Sequence, residues 1–249
     1  MPNLHNKLKV LCLHGFYNNK DVMKYQMAYY EYIFGEFIEF HYLDAPYDAS
    51  AIFDEQIKNK FGGPFFAWVN KDTEKHNFDG LVESCEYVKE YCATHGPFDG
   101  FIGFSQGGYV IRTMLKATEC GIPHCQISPR FAILIASPVQ HGHVFEGKNE
   151  GDYPCPVMYI YGKADPFTYY RDLAICKKSQ TTVILHEKGH NVPRFVGEVM
   201  KTFTKFLNRA YEDKFDKPMA FRVPLNRELK KNFLKHKEQY PILPKLAKM

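Results

Sequence analysis

The sequence predicts an α/β fold, a three-layer α/β/α sandwich built on a mostly parallel sheet. Three observations lead there. Short continuous apolar runs, suited to strands buried on both faces, alternate with stretches whose apolar residues recur at helical spacing. Residues able to do chemistry fall just past the ends of those runs, where parallel sheets bind their ligands. The chain has 249 residues, 45% of them apolar and 24% charged, enough to fill one sizeable core.

The elements follow in order. Lys9 to Leu13 is an apolar strand that ends at His14-Gly15-Phe16. After the polar turn Tyr17 to Lys20, Val22 to Phe34 reads as a helix. Glu36 to Leu43 alternates polar and apolar, as a strand does, and closes at Asp44-Ala45-Pro46. Residues 47–76 show no clean period and read as a long irregular excursion, which in a compact domain tends to be functional. Phe78 to His95 is predicted helical and stops at Gly96-Pro97. Asp99 to Gly108 reads as a short apolar strand running into Gly-x-Ser-x-Gly, followed by a helix-like run from Tyr109, which Gly121 and Pro123 end. Arg130 to Ala136, Val157 to Gly162 and Thr181 to His186 are further strands, with a helix expected over Phe167 to Lys178. A helix from Phe195 to Tyr211 closes the domain. Residues 1–210 are thus expected to form the domain, and 211–249 a basic, partly helical extension.

Composition narrows the classes. The net charge is +4, but residues 211–249 carry ten Lys/Arg against five Asp/Glu, so the body before them sums to −1. That is no nucleic-acid-binding surface. No apolar run approaches the length of a membrane span, and the N-terminal residues do not read as a targeting segment. Seven cysteines without a Cys-x-x-Cys pair indicate neither a disulfide framework nor a zinc site. A reducing compartment is expected, cytoplasmic and open to the nucleus.

The stretch that organises the chemistry is Gly103-Phe104-Ser105-Gln106-Gly107. A strand that turns sharply into a helix at Gly-x-Ser-x-Gly lifts the serine hydroxyl above the sheet. A serine hydroxyl is a weak nucleophile and needs a base, and the base needs an orienting acid. His190, in the turn after the last strand, and Asp165, after the preceding one, supply both in the order Ser, Asp, His. Backbone N–H groups of Phe16 and Gln106 are placed to hold an oxyanion. Asp165 before Pro166 also reads as a helix N-cap, and the two roles are compatible. His186, Glu187 and Asp172 are weaker rivals, and His14 is expected to shape the oxyanion loop. His14, Tyr17, Trp68 and Val192 are the substrate-pocket candidates.

Together, Leu13-His14-Gly15-Phe16, Leu43-Asp44-Ala45-Pro46, Phe66-Ala67-Trp68, Gly96-Pro97-Phe98-Asp99-Gly100, Gly103 to Gly108 and Lys188 to Arg194 resemble the FSH family of serine hydrolases, which includes the ovarian-cancer-associated proteins. The resemblance spans about residues 8–209. It implies an α/β-hydrolase fold, a metal-independent and cofactor-free esterase activity, and Ser105, Asp165 and His190 as the triad. The expected substrate is a small ester with an apolar acyl chain. The Gly-Phe-Ser-Gln-Gly-Gly elbow is shared with acyl-protein thioesterases, so a thioesterase is the alternative, and a non-catalytic binding protein of the same fold is another.

Phe65, Phe66 and Trp68 read equally as the wall or lid of an acyl pocket and as ordinary packing. Residues 140–152 read as a surface loop rather than, on the other reading, a border of the site, and their His141 and His143 lack partners at metal-binding spacing. Leu225, Leu229, Phe233 and Leu234 form one stripe of a helix whose other faces carry Arg227, Lys230, Lys231, Lys235 and Lys237. Such a helix either lies on its own domain or makes a weak contact with an anionic surface or a protein.

Overall fold

The computed structural model describes residues 6–50, 55–72, 77–138, 153–167 and 180–221. The helix expected beyond Phe167, the loop at 140–152 and the basic stripe from Leu225 lie outside the described residues. In chain order the elements are β1 (Leu8–Leu13), α1 (Lys20–Phe34), β2 (Ile38–Leu43), β3 (Tyr47–Asp48), α2 (Glu55–Phe61), β4 (Phe66–Ala67), β5 (Asn70–Asp72), β6 (Asn77–Asp79), α3 (Leu81–His95), β7 (Gly100–Phe104), α4 (Gln106–Glu119), a 3-10 turn at Pro123–Cys125, β8 (Phe131–Ile135), β9 (Val157–Gly162), β10 (Thr181–His186) and α5 (Gly197–Phe215).

Six strands form one sheet in the order β10-β9-β8-β7-β1-β2, and every neighbouring pair is parallel. The pleat sends alternate side chains to opposite faces. Val10, Cys12, Ile102, Phe104, Ile133, Ile135, Met158 and Ile160 meet α1 and α5 through Met23, Tyr30, Phe203 and Leu207. Leu11, Leu13, Phe101, Ala132, Leu134, Tyr159 and Tyr161 meet α3 and α4 through Cys85, Val88, Val110 and Met114. Both faces are covered, which is why these strands are apolar throughout rather than alternating.

Strand order places the chemistry. The chain winds outward from β1 in one direction to β2 and in the other through β7 to β10, so β1 and β7 flank the topological switch point. Leu13 is level with Gly103 on one side and with Leu43 on the other, and His186 is level with Gly162. The segments following these strands therefore emerge along one edge of the sheet.

Three expectations change. The excursion at 47–76 is not wholly irregular: β3 pairs with β4, β5 pairs with β6, both antiparallel, and α2 lies between. Strands of two or three residues are too short to show a period. The helix expected from Phe78 begins at Leu81, because Phe78 pairs with Lys71 and Gly80 turns with φ of 85°. The last helix starts at Gly197 and runs past Tyr211 to Phe215, and Met219 and Phe221 return to the core.

Candidate active site

Ser105 stands between β7 and α4 with φ of 51° and ψ of −117°. A non-glycine residue with positive φ costs of the order of 1 kcal/mol or more and is tolerated only where its surroundings hold it. Here Ser105 N donates to Ile135 O at 2.8 Å, and Ser105 O accepts from Tyr109 N at 3.1 Å. Ser105 occupies the N-cap position of α4, yet its side chain makes no capping hydrogen bond, so the hydroxyl is not spent on its own helix. Gly107 is required by close approach: a Cβ there would lie 2.4 Å from the Leu13 carbonyl oxygen. The start of α4 thus rests directly on the end of β1.

The loop after β1 meets the elbow from the other side. A Cβ on Gly15 would stand 2.9 Å from the Phe104 ring and 3.3 Å from the Ser105 Cβ, so only glycine lets this loop approach the serine. His14 is fully buried and organises the loop. Its Nε2 accepts from Ala45 N at 3.0 Å, which assigns the proton to Nδ1, and Nδ1 donates to Gly15 O at 2.6 Å. Burial holds the imidazole neutral, lowering its pKa to about 4. With the Gly15 carbonyl turned to His14, the planar trans peptide points the Phe16 N–H the opposite way. Among the described residues, neither the Phe16 nor the Gln106 N–H donates to a protein oxygen.

The Asp-Ala-Pro motif after β2 has a physical role here. Ala45 provides the bond that sets the His14 tautomer, and Asp44 accepts from Lys20 N at 2.6 Å at the start of α1. Trp68 is also fully buried and donates from Nε1 to His14 O at 2.9 Å. His14 and Trp68, read from sequence as pocket candidates, are therefore tied to backbone and present no surface to solvent. Tyr17, with φ of 51°, packs its ring on Phe16, and Val192 is half-buried against the core.

Asp165 and His190 come together although 25 residues separate them. His190 Nδ1 donates to Asp165 Oδ2 at 2.8 Å; the Asp165 side chain is fully buried and that of His190 is 20% exposed. This leaves His190 Nε2 as the basic nitrogen. Asp165 Oδ1 accepts from Phe167 N at 2.8 Å, a local turn of the kind aspartate favours, so the carboxylate serves chain and imidazole together. Phe104, the residue before the serine, packs its ring 5.0 Å from the His190 imidazole, which brings the histidine to the elbow. No hydrogen bond joins Ser105 Oγ to His190 among the described residues; such bonds commonly form only once substrate is bound.

Two of the rival residues have other partners. His186 accepts from Lys188 N at 3.2 Å, and burial, the chief cause, lowers its pKa. Glu187 pairs with Lys163 at the surface, and Asp172 lies outside the described residues. Sequence reasoning missed four residues that shape the site. Phe104 and Phe167 bracket the His190 ring, Phe167 edge-on at 5.1 Å and 71% exposed. Tyr29 and Tyr30 of α1 donate to Phe195 O at 2.6 Å and Pro193 O at 2.7 Å, fastening the histidine loop. Phe104 and Phe167 adjoin Ser105 and Asp165 in sequence, which is the signal they carried; the two tyrosines gave none.

A mostly parallel sheet with a serine on a strained strand-to-helix turn at its switch point is the α/β-hydrolase fold. Residues 3–202 match the family described as serine hydrolase (FSH1), and the chain belongs to that family. Esterase CG5412 of Drosophila melanogaster is 29% identical over 213 residues, covering 80% of this chain and 73% of its own. Esterase OVCA2 of Danio rerio is 26% identical over 230 residues, covering 81% and 97%. Among solved structures, acyl-protein thioesterase 2 of Zea mays shares the fold with a TM-score of 0.56 at 19% identity, over 85% of this chain and 96% of that one.

Proposed function

We propose that this serine hydrolase cleaves carboxylic esters of small molecules with apolar acyl chains, through an acyl-enzyme on Ser105. Ser105 Oγ attacks the ester carbonyl carbon while His190 Nε2 takes its proton. Asp165 keeps the other imidazole nitrogen protonated and balances the positive charge that develops. The oxyanion is held by the N–H groups of Phe16 and Gln106. His190 then protonates the leaving alcohol and, as base again, activates the water that releases the acid. The observation that carries this reading is the 2.8 Å Asp165–His190 pair, packed through Phe104 against a serine whose hydroxyl is free of its own helix. The names of the two esterase relatives support the ester as the bond cleaved. Among the described residues, free thiols at six cysteines support a reducing compartment, and no helix is long and apolar enough to cross a membrane.

Turnover of a p-nitrophenyl ester by wild type and Ser105→Ala tests the assignment. The variant is expected to lose at least about 10⁴-fold in kcat while keeping its melting temperature. Retained activity would sink the role of Ser105. A fluorophosphonate that fails to label wild-type Ser105 would favour a binding protein, and a matched thioester turned over much faster than its oxygen ester would favour the thioesterase.

A further inference from the structure

Gln106 has a second attachment that its assigned role does not use. Its side-chain Oε1 accepts from Trp68 N at 2.7 Å, and its Nε2 donates to Val69 O at 3.0 Å. The amide thus satisfies one donor and one acceptor of a bent backbone segment, as the edge of another strand would. Trp68 and Val69 are buried, so those backbone groups have no water to fall back on. The same Trp68 donates from its ring to His14 O, and Ser84 Oγ donates to Trp68 O. Trp68 therefore lies between the two chain segments that carry the Phe16 and Gln106 N–H groups, bonded to both.

We propose that Gln106 is a positioning residue whose side-chain amide clamps the Trp68–Val69 segment to the elbow, so that both halves of the oxyanion site are held as one unit. This rests on the reading of Ser105, Phe16 and Gln106 given above. A primary amide of this length suits the task because it presents a donor and an acceptor together. An ionised glutamate would offer only acceptors and set a negative oxygen against the Val69 carbonyl. Glutamate at the first position of α4 is otherwise favourable to a helix, so helix stability alone predicts that Gln106→Glu is harmless. The clamp predicts the opposite.

The test uses the full chain as wild type, Gln106→Glu and Gln106→Met, the last keeping length while losing both bonds. Fluorophosphonate titration counts reactive Ser105, so that kcat refers to folded sites. Trp68 is the single tryptophan of the chain, and its fluorescence reports the clamp directly. In both variants kcat per labelled site is expected to fall 10- to 100-fold with KM changing less than threefold, while Trp68 emission shifts to the red and becomes more open to acrylamide. A kcat within twofold of wild type, or a change confined to KM, would overturn the clamp and leave the esterase reading standing. A wild type that neither labels at Ser105 nor turns over ester overturns that reading, and the clamp with it.

Discussion

Two aspartates sit at opposite ends of the same sheet, and their surroundings separate structure from chemistry. Asp99, just before β7, has a side chain only 10% exposed and accepts from Lys9 N at 2.7 Å and from Lys214 Nζ at 2.7 Å, with Arg130 Nε at 3.6 Å. It joins β1, β7, the start of β8 and α5. Asp165, after β9, has a fully buried side chain that faces His190. The charged partners of Asp99 are a lysine ammonium and an arginine guanidinium drawn from other elements, so that cluster serves as a fastening. The partner of Asp165 is an imidazole whose second nitrogen is left unpaired with the carboxylate, the arrangement that the proposed reaction uses. The difference lies in what each carboxylate is set against, since burial is alike.

The comparison can be broken from both ends. The largest effect is expected for Asp165→Asn, which leaves packing intact but no longer favours the Nδ1-protonated tautomer of His190: kcat should fall by about 10³- to 10⁴-fold with little change in melting temperature. Equal losses of kcat and stability would make Asp165 a second fastening rather than a catalytic group. Asp99→Asn should do the reverse. Denaturant titration is expected to show a loss of about 2–3 kcal/mol, since Lys214 is left without its counter-charge, while kcat per labelled Ser105 stays unchanged. A change in kcat per site would mean that the far end of the sheet reaches the active edge.

A smaller effect sharpens the comparison through His14, a buried histidine that stays neutral. Its folded pKa, about 4, lies below the ordinary value of 6.5 because burial opposes the charge, against the opposing pull of the Gly15 carbonyl and Asp44. The unfolded chain therefore binds a proton that the native chain refuses. Native stability attributable to His14 is fully present above about pH 6.5 and is lost as pH falls toward 4, by up to about 3 kcal/mol. The difference in unfolding free energy between wild type and His14→Gln, measured from pH 7 to pH 4, should narrow as the pH drops. A constant difference would show that His14 carries no such penalty.

Much of this was legible in the chain. Apolar runs such as Phe131–Ile135 declared strands covered on both sides, and Gly103 to Gly107 declared the turn, because few residues tolerate such a close approach. The order of Ser105, Asp165 and His190 and their places past strand ends nominated the catalytic set. Hidden from view were the small antiparallel pairs at 47–79, whose two- and three-residue strands have no period to read. Equally hidden were the fastenings of the site: Tyr29 and Tyr30 on the histidine loop, Trp68 on His14, and the Gln106 amide on Trp68–Val69.

The sequence by itself determined the layers, the elbow and the residue types that chemistry would need, since these follow from local spacing and from which side chains avoid water. The tertiary structure decided that β1 and β7 lie side by side at the switch point. That adjacency puts Gly15 against Ser105 and Trp68 between the segments that carry the Phe16 and Gln106 N–H groups, contacts among residues up to 90 positions apart that local propensities do not encode.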